Sequence, residues 1–160
     1  MMREMRRKDR AMKASHIEDV LNRAEYGVLA SVGNGNYPYA IPYSYALMDG
    51  NIYIHCTSDA SHSRENMTNN PTVCFTVVGD TEVLPAKFGT CYESVVIFGR
   101  VCEVTEPVLK KCALRSLLEK YSHDHIERGQ KYLEAKCDAV SVMEITPIKV
   151  TGKTRPKATR

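Results

Sequence analysis

Two hydrophobic periods alternate along this chain, and the points where one gives way to the other mark its elements. Ile17, Val20, Leu21 and Ala24 recur at three- and four-residue spacing, the stripe of an amphipathic helix. That predicts a helix over 16–24, with Ser15 as N-cap and Glu18 completing a capping box. From residue 26 the pattern turns strand-like. Residues 27–32 read as one strand, closed by the Gly33-Asn34-Gly35-Asn36 turn, and 37–47 as the next. Asp49-Gly50 between two such runs is a strong hairpin signal leading into a strand over 52–56. The polar stretch 57–70 holds a short helix over 63–68, ended by Pro71, and 73–78 is again a strand.

Residues 79–91 read as irregular, and 94–104 as a strand that Gly99 bends or bulges. Thr105 then caps a helix over 106–121, with Pro107 in its first turn and Val108, Cys112, Ala113, Leu117 and Leu118 as its buried stripe. A second helix over 125–135 precedes a strand over 139–145 and an extended run over 147–151. The sum is a mainly β (α+β) fold: six or more short antiparallel strands with flanking helices, in a closed or nearly closed barrel that removes exposed edges. The 160 residues fit one domain over 1–160, with a basic segment at 1–14 and a basic tail at 151–160.

Charge changes this picture at the ends. The net +3 conceals +4 over residues 1–13, +5 over 149–160 and −6 in between. Basic ends suit nucleic-acid arms, groups folded back on an anionic cofactor, or solvated tails. Composition alone ranks solvated tails first, and without a reader motif nucleic acid is not expected as a partner. No apolar run nears the roughly 20 residues that span a bilayer, and no apolar region follows the cationic start. The expectation is therefore a cytoplasmic protein without a membrane partner. Six cysteines without a C-x-x-C pair read as reduced thiols, with no zinc site.

The segment richest in chemistry is 52–66, where a strand ends in hydroxyl-bearing residues, then His62 and Arg64, at the start of a helix. A phosphate calls for hydroxyl and amide donors at a helix N-terminus and a guanidinium matched to its oxygens. Ordinary turns and caps use the same residues, so both readings stand at this point.

This stretch resembles the strand, Thr/Ser loop and Ser-Arg-Lys element of the pyridoxamine-phosphate-oxidase-like FMN proteins, followed by Asn70-Pro71. The closer resemblance is to the branch of 5-nitroimidazole-resistance reductases. Its motifs recur here in order: Arg6-Arg7-Lys8-Asp9-Arg10, Tyr37-Pro38-Tyr39-Ala40-Ile41-Pro42, Tyr53 with His55, Tyr92 with Ser94 and Val95, Phe98-Gly99, and Thr151-Gly152-Lys153. The resemblance implies an FMN-binding split β-barrel acting as a homodimer, with the flavin at the interface. It places Pro42, Tyr43, Ser44, Cys56 and Thr57 along the ring and ribityl chain, and Ser61, His62, Ser63 and Arg64 on the phosphate. Ser94 would approach from the partner, and Arg7 or Arg10 would neutralise the phosphate. Where the family has Gly-x-Lys, this chain has Ala60-Ser61-His62-Ser63-Arg64, one residue longer. His62 or Arg64 then takes the lysine's role, and the permanently charged Arg64 is the sounder choice.

The resemblance also singles out His55 as a proton donor to a small-molecule acceptor, against a strand-end histidine satisfied by a backbone carbonyl. The implied activity is an FMN-dependent oxidoreductase of nitroreductase type acting on small aromatic acceptors. The alternatives are a flavin-, haem- or deazaflavin-binding protein on the same barrel, and pyridoxamine-phosphate oxidase, disfavoured because the chain has no Trp. His123-Asp124-His125 invites a metal reading but lacks a third ligand of suitable spacing, and a polar helix start is favoured over it.

Overall fold

The structure, a computed structural model, describes residues 3–57 and 61–156. Residues 58–60 of the polar loop and the last four of the basic tail lie outside the described residues. In chain order the elements are α1 (Ala14–Arg23), β1 (Gly27–Val32), β2 (Pro38–Tyr43), β3 (Tyr45–Met48), β4 (Asn51–Thr57), α2 (His62–Asn69), β5 (Thr72–Leu84), β6 (Gly89–Glu103), α3 (Pro107–Tyr121), α4 (Ile126–Lys136) and β7 (Val140–Arg155). The seven strands form one antiparallel sheet in the order β2-β1-β5-β6-β7-β4-β3.

The two edge strands, β2 and β3, are consecutive in sequence and separated only by Ser44. The sheet must therefore curl until its two edges meet at that residue. No ladder joins β2 to β3, so the expected barrel is split rather than closed. Inside it, Leu29, Ile52, Ile54, Phe75, Val77, Val95, Ile97 and Ile145 are almost wholly excluded from water, and Met67 of α2 plugs one end. A smaller cluster of Tyr53, Val104, Ala113 and Val142 lies on the other side of β4, beneath α3.

Five expectations shift. The strand over 37–47 breaks at Ser44, because the Tyr121 hydroxyl accepts from the Tyr45 amide at 2.9 Å and reaches the Tyr45 carbonyl at 3.0 Å. A side chain 76 residues away replaces the ladder there. Residues 79–91 are not irregular: β5 and β6 continue as a hairpin arm, with a register shift between Val78 and Thr81. The arm leaves the core, exposing Val83 and Phe88, so it lacks the alternation that burial imposes.

Helix α1 starts at Ala14 with Lys13 at its N-cap and no side-chain cap, so the Ser15 capping box does not form. Helix α3 is capped by Glu106, not Thr105. Its carboxylate accepts from the Val108 amide at 2.8 Å and the Leu109 amide at 2.5 Å, which places negative charge at the positive end of the helix dipole. Val108 and Cys112 face solvent, while Ala113 and Leu117 are buried. Gly99 behaves as expected. A Cβ there would lie 2.6 Å from the Thr146 carbonyl oxygen, and the register to β7 shifts at this point, the mark of a bulge.

Helix α1 is held to the β5–β6 arm by Glu93, which accepts from His16 at 2.6 Å, from Arg23, and from the Asp80 amide at 3.1 Å. Burial alone would raise the Glu93 pKa, but these donors together hold it below the ordinary value. Among the described residues no helix is long and apolar enough to cross a membrane.

Candidate functional site

Strand parity decides which of the expected residues meet. On β4, Ile52, Ile54 and Cys56 point into the barrel, while Tyr53 packs under α3; His55 and Thr57 share the Tyr53 face, since successive side chains alternate. On β2, Tyr39, Ile41 and Tyr43 alternate with the exposed Pro38, Ala40 and Pro42. The expected set therefore divides between two faces of β4.

The inner group gathers at the start of α2. Ser61 is its N-cap, its Oγ accepting from the Arg64 amide at 3.3 Å. The Tyr43 hydroxyl donates to Ser63 Oγ at 2.8 Å, and the His62 ring lies 4.3 Å from that of Tyr39. Ser63 is buried. Burial pushes the Tyr43 phenol and the Cys56 thiol above their ordinary pKa values. Tyr43, Ser61, Ser63 and Arg64 are thus linked around the first turn of α2, with Cys56 close enough for the Arg64 charge to act on its thiol.

The Arg64 guanidinium is already engaged. Its Nη2 donates to both carboxylate oxygens of Glu103 at 3.0 and 2.9 Å, and this pair raises its pKa. Glu103 also accepts from Ser141 Oγ at 2.7 Å, and these donors lower its own pKa despite the opposing effect of burial. Nothing in the local sequence around Arg64 announces an acid 39 residues on; only the β6 register places it there.

Ser94 and Arg7 lie elsewhere. Ser94 lines a small cleft of about 180 Å³ with Arg3, Met5, Val96, Phe98, Lys149 and Lys153. Ser94 and Glu103 are nine positions apart on β6, or about 30 Å along the strand. Arg7 pairs with Asp9 at 2.5 Å, which holds that carboxyl at about 2. Beside this cleft Arg10 donates to the Tyr92 hydroxyl at 3.3 Å. Burial opposes the effect, but Arg10 and Lys153 together lower the Tyr92 pKa.

The outer face of β4 opens into a cavity of about 540 Å³ under α3 and α4, reached by Ser44 and His55. Its walls are Leu114, Leu117, Leu118, Leu133 and Val140, with Tyr121, His125, Arg128, Tyr132 and Lys136 around them. The protein packed about His55 strips part of its water and lowers its pKa, so near pH 7 the imidazole is mainly neutral. His125 turns toward this cavity and offers no side-chain cap to α4, while His123 pairs with Asp124 at 3.1 Å. No three His, Cys, Asp or Glu side chains converge on a common point among the described residues. The sequence reading missed the cavity's contribution from α4. A stripe at i, i+4 and i+8, namely Arg128, Tyr132 and Lys136, was its available signal.

The donor set tests whether a phosphate-bearing cofactor fits. Ser61, His62, Ser63 and Arg64 occupy the N-cap and first turn of α2, and hydroxyl, imidazole and guanidinium at a helix N-terminus are the donor types a phosphate needs, with Ser63 now bonded to Tyr43 and Arg64 to Glu103. The residues fit.

The solved structures that share this fold include a conserved hypothetical protein of Mycobacterium tuberculosis, at 19% identity and TM-score 0.82, covering 98% of this chain and 97% of that one. A provisionally assigned 5-nitroimidazole antibiotic resistance protein of Bacteroides thetaiotaomicron matches at 19% identity and TM-score 0.76, over 89% of this chain and 85% of that one. An FAD- and haem-binding protein of Mycobacterium smegmatis matches at 15% identity and TM-score 0.75, over 91% and 72%. No curated protein matches the sequence at a significant level. The family model described as pyridoxamine 5'-phosphate oxidase matches residues 13–154. With nearly the whole chain matched and the split barrel in place, this protein belongs to the pyridoxamine 5'-phosphate oxidase family.

Proposed function

We propose that this protein is a cytoplasmic FMN-dependent oxidoreductase of nitroreductase type that works as a homodimer on small aromatic acceptors. The observation that carries the reading is the placement of a cluster of phosphate-type donors and an open, largely apolar cavity on either side of one strand, β4. Ser63, the α2 amides and Arg64 would hold the phosphate. Cys56, Thr57 and the Pro42–Ser44 segment would run alongside the rest of the cofactor, where β2 and β3 meet. Bound there, FMN supplies hydride transfer to the acceptor. His55, one residue from Cys56 but on the cavity face, orients the acceptor and donates a proton to it. The six thiols carry no disulfide, as suits a reducing compartment.

The dimer is part of the same proposal: Ser94 lies far along β6 from Glu103 in one chain, so if Ser94 approaches the flavin it would do so from a two-fold partner. The outer face of the sheet supports this, since Cys74, Thr76, Val78, Val96 and Phe98 make it largely apolar and leave it partly exposed. The test is chemical. Protein purified from cells is expected to be yellow and to release FMN, not FAD, on denaturation. Colourless protein that cannot be reconstituted with FMN contradicts the reading.

A further inference from the structure

The cavity under α3 and α4 has a chemical bias that the flavin reading does not use. Of its fifteen lining residues, Arg128 and Lys136 are cationic and none is acidic. Neither cation has an ion-pair partner among the described residues, although both helices carry acids. Glu119 pairs with Arg115 at 2.9 Å and Glu134 accepts from Gln130 at 3.2 Å, while Asp124, in the turn between the helices, pairs with His123. Helix α4 thus lines the cavity with Arg128, Tyr132 and Lys136 on successive turns, while Glu127, Lys131 and Glu134 are exposed outside its lining. The walls beneath are leucines and Val140, with Leu117 and Leu133 buried. A volume of about 540 Å³ falls within the range of small-molecule sites.

We infer that this cavity binds an apolar aromatic carboxylate, its ring against Leu117, Leu118 and Leu133 and its carboxylate on Arg128, with Lys136 adding to the field. Arg128 is assigned the direct contact because a guanidinium fork matches a carboxylate in two bonds, which an ammonium does not. Gly129 makes room for this arrangement. It packs directly on Leu118, so α3 and α4 approach closely at the cavity wall and hold it in shape. That the bound acid is the electron acceptor rests on the flavin reading above; that the cavity takes an aromatic acid does not.

The test uses the full chain and a matched pair of probes, 2-naphthoate and 2-naphthamide, which share a ring system and differ in charge. Titration calorimetry on the purified protein is expected to give naphthoate a Kd about tenfold below that of naphthamide, a gap that narrows as salt screens the exposed cations. Arg128→Gln should erase most of the preference while leaving naphthamide binding intact, and Lys136→Gln should erase less of it. Both variants change exposed side chains, so their melting temperatures should match the wild type. Equal affinity for the two probes, or a preference unmoved by either substitution, overturns the inference. Protein that binds naphthoate in this way yet never takes up FMN upholds it and contradicts only the flavin reading.

Discussion

The two ends of strand β6 both carry cationic chemistry, and they keep it in opposite ways. At the Glu103 end, Arg64 is matched within its own chain by a carboxylate that Ser141 also supports. At the Tyr92 end, Arg10 bonds the phenol and Lys153 sits 5.8 Å from its ring centre; further along, opposite Phe98, Lys149 donates to the Arg3 carbonyl at 3.3 Å and to the exposed Glu4 at 3.2 Å. One end is neutralised and the other holds positive charge in excess. In the proposed dimer the partner's excess meets the Glu103 end. A phosphate there would then compete with Glu103 for Arg64 with further cations behind it.

The strongest way to break this comparison is to separate the two ends. Phe98 lies midway, on the outer face of the sheet. Phe98→Glu should give a folded monomer whose FMN affinity falls by about 2–4 kcal/mol, the worth of a central interface residue. Light scattering and flavin titration read the two effects. A Phe98→Glu dimer, or a monomer with undiminished affinity, would show that each chain builds its site alone.

His55 sits at the Glu103 end, paired with Val142 across the β4–β7 ladder. His55→Asn should leave FMN binding near wild type and slow reoxidation of the reduced protein by a nitroaromatic or quinone by ~10²-fold. Because the surroundings lower the His55 pKa, the protonated donor survives only on the acid side of the ordinary imidazole range. The wild-type rate should therefore fall as pH rises through a midpoint below about 6.5. Equal stopped-flow rates for both proteins from pH 5.5 to 8.5 would make the chain a flavin carrier.

Substitutions at the Arg64 pair sharpen the comparison further. Arg64→Ala should weaken FMN binding by about 1.5–3 kcal/mol, as expected for a hydrogen bond to a charged group, and His62→Ala should weaken it less. Glu103→Gln should act in the other direction and strengthen binding by up to about 1 kcal/mol, since it removes the competing carboxylate of a partly exposed pair. If His62→Ala is the more damaging, the imidazole has taken the lysine's place in this loop.

How much of this was legible in the sequence depended on whether the signal was local. Strand β1, the Asp49-Gly50 hairpin with both residues at positive φ, the Gly99 bulge and the cluster at α2 all follow from residues close in sequence. The break at Ser44 does not, because its cause is the Tyr121 hydroxyl. The β5–β6 arm was missed because it has no core to impose alternation. At the site, Arg64 could be picked out from its neighbours, but Glu103 could not. His55 and Cys56 are adjacent along the chain, yet strand parity puts their side chains on opposite faces of β4.

The smallest effect concerns a lysine away from both ends of β6. Lys120 donates to the Leu21 carbonyl at 3.1 Å and lies 3.7 Å from the centre of the Tyr45 ring. Burial lowers its pKa to about 8. The folded state then binds the proton less tightly than the unfolded chain, so stability should rise with pH between about 8 and 10.5. Thermal melts of wild type and Lys120→Met should show the wild type gaining relative to the variant over that window, by about 1 kcal/mol after allowance for its partial exposure. A constant difference would mean that the amine titrates normally.

The central claim is that two chains together complete each flavin site, and sedimentation velocity recorded at both the protein and flavin absorption bands tests it most directly. The account predicts one boundary at twice the 18.0 kDa chain mass, carrying one FMN per chain, with the flavin signal lost from whatever fraction dissociates on dilution. A boundary at 18.0 kDa that retains its full flavin signal would contradict it.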